Sequence, residues 1–313
     1  MITIRSKKIV LSLLGFISLL YISYVIYNSI HSINNITTYI SLKNITIALI
    51  PCLFMLLFQS LLHVLIIEDI EGKRITSKIK LMASFSTSQI IRYLPGKVLG
   101  IIYQSEKLEK IVPKKTIWIA NIHQTVINLG NSVIVLITVY IMLSLGMYLA
   151  ITFAFISLLF LFFFIKQNFT YKLFNKFTSK NLKKLSLPSI KNNKVITEII
   201  FLELEWLFYL LTWYLLSPND IYGNGFILIG VAYAAASFIG MLAFIIPSGW
   251  LVREASFIWI GGVVGLSQNL LLVYSVIARV LFIVGDLLWA LITATLYKIK
   301  KSGEKSESTT ILG

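Results

Sequence analysis

Long apolar runs recur along the whole chain, and they constrain its fold more than any other feature. A bilayer core about 30 Å thick needs roughly 20 apolar residues to be crossed by an α-helix, so each run is a candidate membrane span. The sequence therefore predicts an all-α integral membrane protein, a bundle of about eight transmembrane helices. The runs cover about 9 to 29, 45 to 67, 116 to 143, 148 to 165, 196 to 216, 225 to 246, 252 to 267 and 270 to 297.

The composition excludes an ordinary soluble domain. Of the 313 residues, 57% are hydrophobic and only 13% are charged, and the mean hydropathy is +0.85. Soluble domains carry about twice that share of charged residues. Cys52 is the only cysteine, so neither an intramolecular disulfide nor a thiolate metal cage can form. We expect no metal and no cofactor.

Positive charge is concentrated in alternate connections, and this pattern predicts the topology. The net charge of +15 indicates membrane orientation and contact with anionic lipid rather than nucleic acid, because no soluble basic module accompanies it. Lysine and arginine are frequent in 68–115 and 166–195, whereas 217–224 contains neither. The positive-inside rule then places both termini in the cytoplasm and the protein in the cell's inner membrane. We expect one transmembrane domain over 1–301, with the first run as an uncleaved span, and a disordered cytosolic tail over 302–313.

Two apolar stretches are interrupted by Pro and Gly next to charged residues. The first interruption, Arg92 to Gly100, lies in a moderately apolar stretch with basic flanks, which predicts a re-entrant segment on the cytosolic side. The second, Ile246 to Glu254, precedes a short glycine-bearing run, as a broken helix would. Each half of the chain carries one interruption, and such pairs are typical of the central site of a transporter with two related halves. Whether the halves would be inverted or parallel stays open.

These interruptions can expose free backbone N–H groups at membrane depth. Proline breaks a helix, glycine permits a positive φ, and a new half-helix start carries about half a positive charge. With Arg92, Lys97 or Arg253 added, such a start becomes a candidate site for the phosphate of an anionic lipid headgroup. Alternatively, the interruptions are kinks or turns held by neighbouring helices. The candidate lipid-phosphate site comprises Arg92, Pro95, Gly96, Lys97, Gly100, Pro247, Gly249 and Arg253.

Ionisable residues inside the apolar runs are a second signal, because a charge at mid-bilayer costs at least about 2.5 kcal/mol and must face protein or water. Glu203 and Glu205 are two residues apart and point in different directions, so at most one should face a central cavity squarely. Arg279 and Asp286 share one face of the last run. A pairing of Arg279 with Glu203 or Glu205 would act either as a static strut or as a gate. The candidate gate or polar path comprises Glu203, Glu205, Glu254, Arg279 and Asp286.

Two further groups of polar residues have simpler interpretations. His123 has no His, Asp or Glu neighbour at ligand spacing, so we expect no metal there. Glu68, Asp69 and Glu71 could serve a membrane enzyme as carboxylates, but they are also typical of a solvated turn. The third run has a polar face that predicts hydrogen bonds between helices, formed by Asn121, His123, Gln124, Asn128 and Asn131.

Three groups of residues carry a resemblance to a known family: Arg92-x-Leu94-Pro95-Gly96-Lys97-x-x-Gly100, then Pro247-x-Gly249-x-x-x-Arg253-Glu254-Ala255, and finally Arg279. In order and spacing, over about 5 to 297, the chain resembles the lysylphosphatidylglycerol synthase transmembrane region family. That family includes the flippase-like domain of the multiple peptide resistance factor and its stand-alone relatives. Two departures are Trp250, where relatives tend to have glycine, and His123-Gln124, where an acid–base pair is expected. We therefore expect the bound lipid to differ.

The resemblance implies a flippase-like transporter that moves an anionic lipid between leaflets for envelope or surface-glycan assembly. The lipid would be a phospholipid or a polyprenyl-phosphate-linked sugar, and Arg92, Lys97 and Arg253 would hold its phosphate. The sequence contains no G-x-x-x-x-G-K-[ST] motif, so ATP would not drive transport. The soluble aminoacyl-transfer domain of fused relatives would follow Lys301, where twelve residues remain. We therefore expect no lysyl-lipid synthesis and no enzyme.

Two other functions stay open. One is a membrane enzyme or accessory subunit in lipid-linked glycan transfer. The other is a non-transporting partner that docks cytosolic envelope-biosynthesis enzymes through its basic 166–195 connection.

Overall fold

A computed structural model describes residues 41–91, 99–166, 192–217, 225–242 and 252–310. The backbone of these residues is helical apart from short turns and contains no strand, which confirms the predicted all-α class for this part of the chain. Its nine helices are α1 (Leu42–Glu71), α2 (Lys78–Ile91), α3 (Leu99–Leu108), α4 (Lys114–Ser144), α5 (Met147–Lys166), α6 (Asn192–Leu216), α7 (Gly225–Leu242), α8 (Val252–Val263) and α9 (Gln268–Thr310).

Five of the described helices are long and apolar enough to cross a membrane: α1, α4, α5, the part of α6 from Lys194, and the part of α9 up to Ser302. A shorter apolar helix occupies Gly225–Gly240 within α7. This is the architecture of a multi-pass α-helical membrane protein. The first predicted span lies outside the described residues, so the count of eight spans stays a prediction.

Large apolar side chains cover the outside of the bundle. On α5, Tyr148 is 90% exposed and Phe160 is 69% exposed. The 20 residues of α5 rise about 30 Å, which matches the hydrocarbon core of a bilayer. Extended apolar surfaces of this kind are rare on soluble monomers, so the outer faces of the bundle are suited to lipid contact.

The helices α1 and α6 pack antiparallel and form the centre of the bundle. Gln59 donates to Glu205 near their middle, and Asp69 near the end of α1 pairs with Lys194 at the start of α6. Two apolar clusters lie at opposite ends of this pair. One surrounds Trp213 and includes residues of α7, α8 and α9, whereas the other includes residues of α2, α3, α4 and α5. Since both clusters share α1 and α6, these two helices connect the halves of the described structure.

The helices on either side of each interruption pack against each other. In the first hairpin, α2 and α3 approach so closely that a Cβ on Gly100 would lie 2.5 Å from the carbonyl oxygen of Ser88. In the second hairpin, α7 and α8, a Cβ on Gly240 would lie 2.9 Å from the Cβ of Arg253. Glycine is therefore needed at both contacts, because any side chain would force the helices apart.

The second helix of each hairpin is too short to cross a bilayer. The 10 residues of α3 and the 12 of α8 rise only about 15 and 18 Å, roughly half of the hydrocarbon core. The segments 92–98 and 243–251, which contain the prolines, lie outside the described residues. The re-entrant and broken segments themselves therefore stay predictions.

The last helix continues past the predicted end of the transmembrane domain. Its apolar part ends near Ser302, but the backbone is helical to Thr310, whereas the sequence predicts a disordered tail from 302. Glutamate and lysine, which are frequent in this segment, are good helix formers. The change at 301–302 is therefore a change in composition and not the end of the helix.

Candidate functional site

A cavity of about 580 Å³ lies between the two hairpins in the middle of the bundle. Ser88 and Gly100 contribute to its wall from the first hairpin, and Ser237 and Arg253 contribute from the second. The remaining wall comes from α1, α4, α6 and α9. The two interruptions that the sequence singles out are thus flanked by helices that converge on one cavity.

The cavity lining combines apolar and polar surface. Aromatic and aliphatic side chains include Met55, Phe85, Trp206, Tyr209 and Phe282. The hydrogen-bonding and charged side chains are Gln59, Ser88, Gln89, Asn121, Gln124, Thr125, Asn128, Ser132, Glu205, Ser237, Arg253 and Asp286. An apolar wall with a small number of convergent polar groups is typical of a binding site for an amphipathic molecule.

Arg253 is held in the wall by a neighbouring carboxylate. Its Nη2 donates to Oε1 of Glu254 at 3.0 Å, and the same oxygen accepts from Nη1 of Arg279 at 2.6 Å. The Arg253 guanidinium also lies 5.1 Å from the ring centroid of Tyr233. Two guanidinium groups thus share one carboxylate oxygen at the cavity wall. The sequence expected Glu203 or Glu205 as the partner of Arg279, and the structure assigns Glu254 instead.

Two carboxylates also line the cavity. Glu205 is 8% exposed and accepts from Nε2 of Gln59 at 3.2 Å, and Asp286 is 4% exposed. Glu203 is not part of the lining. This agrees with the expectation that only one member of the Glu203–Glu205 pair would face a central cavity, because residues two apart on a helix point in different directions.

The structure describes some of the predicted site residues and not others. Gly100, Arg253, Glu205 and Asp286 line the cavity, and Glu254 and Arg279 hold Arg253 at its wall. Arg92, Pro95, Gly96, Lys97, Pro247 and Gly249 lie outside the described residues.

Hydrogen bonds between helices form as the polar face of the third run predicts. Gln124 Oε1 lies 2.7 Å from Nδ1 of His63, and Gln104 Nε2 lies 2.7 Å from Nε2 of the same ring. Asn121 donates to Oε1 of Gln104 at 2.9 Å. The Gln104 amide therefore donates to the ring, and His63 is a neutral imidazole that donates through Nδ1. Sequence reasoning missed His63 and Gln104 because a single polar residue in an apolar run does not reveal its partner.

The carboxylates of Glu68 and Asp69, near the end of α1, do not lie in a solvated turn. Glu68 and Asp69 are 6% and 3% exposed. Glu68 accepts from the backbone N–H of Ile75 at 2.9 Å and pairs with Lys78. The turn interpretation was wrong because α1 extends to Glu71 and packs its last two turns against neighbouring helices. Among the described residues, no group of three or more His, Cys, Asp and Glu side chains has the arrangement of a metal site.

No family model matches this chain, and no curated protein sequence is significantly similar to it. The resemblance to the lysylphosphatidylglycerol synthase transmembrane region family therefore rests on the motifs quoted above. Among the described motif residues, Gly100, Arg253, Glu254 and Arg279 lie at or next to the cavity.

Proposed function

We propose that this protein is a flippase-like transporter that moves an anionic lipid between the leaflets of the cytoplasmic membrane. The observation that carries the proposal is the cavity between the two hairpins, with the guanidinium group of Arg253 held in its wall by Glu254. A cation held at mid-bilayer depth is costly unless it faces protein, water or a ligand. A phosphate group in the cavity would accept charge-assisted hydrogen bonds from Arg253.

The size and lining of the cavity favour a headgroup over a whole lipid. A volume of about 580 Å³ lies within the range of small-molecule sites and can accept a phosphate with its attached glycerol or sugar. The acyl or polyprenyl chains would stay among the apolar side chains on the outside of the bundle. Glu205 and Asp286 would accept hydrogen bonds from hydroxyl groups of the headgroup.

The basic end of the bundle faces the cytosol in this proposal. Lys80, Lys300 and Lys301 surround one small surface cavity, and Lys78 and Lys194 lie at the same end of the described helices. A concentration of lysine at one end of a membrane bundle is typical of its cytoplasmic side. Anionic lipid in the inner leaflet would also be attracted to this end.

Lipid exchange in proteoliposomes tests the proposal. The purified protein is reconstituted with fluorescent phosphatidylglycerol or with a labelled polyprenyl-phosphate sugar, and an impermeant quencher reports the fraction that changes leaflet. We expect exchange well above that of empty liposomes, with a loss of at least about tenfold in Arg253→Ala, because a charge-assisted hydrogen bond contributes about 1.5–3 kcal/mol. Arg74→Ala is the matched control, since Arg74 is exposed and lies in the turn after α1.

Two results would oppose the proposal. One is an exchange rate equal to that of empty liposomes for both lipid classes. The other is an equal loss of exchange in Arg253→Ala and Arg74→Ala, which would mean that general surface charge matters and the cavity does not. The first result would favour the membrane enzyme or docking functions.

A further inference from the structure

Three ionisable side chains meet inside the bundle, away from the cavity. Asp69 of α1, His123 of α4 and Glu198 of α6 are 3%, 1% and 0% exposed. Nε2 of His123 lies 3.6 Å from Oε2 of Glu198, and Lys194, four residues before Glu198 and so on the same face of α6, pairs with Asp69. We call these three residues the carboxyl–histidine cluster. Sequence reasoning missed it because its members belong to three different helices.

Among the described residues, Lys194 is the cation that lies beside the two carboxylates of this cluster. Lys194 pairs with Asp69, and its side chain is 35% exposed, so it lies at the edge where the cluster meets solvent. With both carboxylates ionised, Lys194 charged and His123 neutral, the cluster holds one negative charge in excess. Burial disfavours the ionised form of a carboxyl group that has no cation of its own, and protonation removes that charge. One proton bound to either carboxyl group would therefore neutralise the cluster.

The other charged groups nearby have partners of their own. Glu68 pairs with Lys78, Glu71 accepts from the hydroxyl of Thr116, and Lys114 pairs with Glu109. Lys115 and Lys166 are further described ionisable residues at this end of α4 and α5, and the lysine-bearing connection 167–191 lies outside the described residues. Within the described part of the chain, Lys194 is thus the cation paired with the carboxyl–histidine cluster, and a bound proton would neutralise the second carboxylate.

Polar residues connect the cluster with the cavity. Glu198 and Glu205 are seven residues apart on α6 and so share one face about 10 Å apart along the axis. His123 is followed by Gln124, which lines the cavity, bonds to His63 and donates to the backbone oxygen of Gln59. The cluster thus meets solvent at Lys194, and the adjoining turns of α4 and α6 reach the cavity.

We propose that Asp69, His123 and Glu198 form a proton-binding site that couples lipid movement to proton movement across the membrane. This inference rests on the proposed transport function. On loading, a hydronium ion from the solvent next to Lys194 gives up one proton, and a new O–H bond forms on the Asp69–Glu198 pair. On unloading, that O–H bond breaks and the proton passes to a water molecule on the cavity side of the cluster, which restores the carboxylate. Each cycle transfers one proton and requires no other reactant.

Infrared difference spectroscopy tests the site without any transport. Purified protein in lipid nanodiscs is titrated through neutral pH, and the C=O stretch of buried protonated carboxyl groups is recorded. We expect a band in the wild type that is absent in Glu198→Gln and in Asp69→Asn. Glu68→Gln is the control, because Glu68 is a buried carboxylate with complete partners and should not contribute to the band. A wild-type spectrum without such a band, or a band that survives in both cluster variants, would overturn the inference.

Proteoliposomes with an imposed pH gradient test the coupling. One coupled proton makes a gradient of one pH unit equivalent to a factor of about ten in the lipid distribution. We expect the wild type to show a distribution that reverses with the gradient, and Glu198→Gln to exchange lipid without responding to it. Exchange that ignores the gradient in the wild type would overturn the coupling and leave the transport function standing. The infrared band without exchange of any lipid would support the proton site and count against the transport function.

Discussion

Nη1 of Arg279 lies 2.6 Å from Oε1 of Glu254, across the contact between α9 and α8. The same oxygen accepts from Nη2 of Arg253 at 3.0 Å, so one carboxylate joins a cation of the cavity wall to the last helix. The side chains of Arg279 and Glu254 are only 16% and 11% exposed. Shielded charges interact more strongly than surface charges, so this pairing fixes the position of Arg253.

The shared carboxylate predicts strong coupling between its partners. We expect Glu254→Gln and Arg279→Gln each to lower the free energy of unfolding by roughly 1–3 kcal/mol, because each leaves a buried polar group without its partner. The double variant should lose less than the sum. Chemical denaturation in detergent measures all three. The pair Lys114–Glu109, which is 47% and 60% exposed, is the control and should show no coupling. Additive losses at Glu254 and Arg279 would contradict the structure.

The close contact of the second hairpin predicts that Gly240 cannot accept a methyl group. A Cβ there would lie 2.9 Å from the Cβ of Arg253, whereas a Cβ on Gly130 of α4 would meet nothing within 4 Å. Gly240→Ala should therefore lower stability by roughly 1–3 kcal/mol. Gly130→Ala should leave it unchanged or raise it by up to about 1 kcal/mol, because alanine favours a helix. Thermal unfolding in detergent compares the two variants, and equal stabilities would argue against the observed approach of α7 and α8.

The cavity predicts which buried positions water-soluble reagents can reach. Cys52 is the only cysteine and is buried, so Cys52→Ala provides a cysteine-free background. Ser237→Cys, in the cavity wall, should react with a small hydrophilic maleimide, and added anionic lipid should slow the reaction. Thr212→Cys should stay unmodified because Thr212 is 0% exposed. Mass spectrometry measures the modified fraction, and an unreactive Ser237→Cys would mean that the cavity is closed to water.

The proposed orientation predicts the sidedness of two labelled positions in intact cells. In the same background, Lys300→Cys at the basic end should be protected from an impermeant reagent until the membrane is permeabilised. Leu145→Cys, in the turn between α4 and α5 at the opposite end, should react at once, since Leu145 is 64% exposed. Gel-shift labelling measures the extent to which each of the two introduced cysteines has reacted. The reverse pattern would show that the basic end faces outward.

The helix positions were largely predictable from hydropathy. The run predicted over 116–143 corresponds to α4 at Lys114–Ser144, and the run over 148–165 corresponds to α5 at Met147–Lys166. Each helix satisfies its backbone hydrogen bonds within itself, so local sequence is sufficient to place it in a membrane. The residues Gly100, Glu205, Arg253 and Asp286 were also identifiable as candidates. A charged residue inside an apolar run must face protein or water, and a glycine there allows close helix packing.

The contacts between helices were not predictable in the same way. Arg279 was expected to pair with Glu203 or Glu205, but it donates to Glu254. Glu198 meets His123 of another helix. Periodicity shows which residues share a face of one helix, but it carries no information on the depth or rotation at which two helices pack. The sequence by itself therefore determined an apolar multi-helix chain with polar residues at particular depths. The tertiary structure decided which of those residues meet, because packing between helices sets their register.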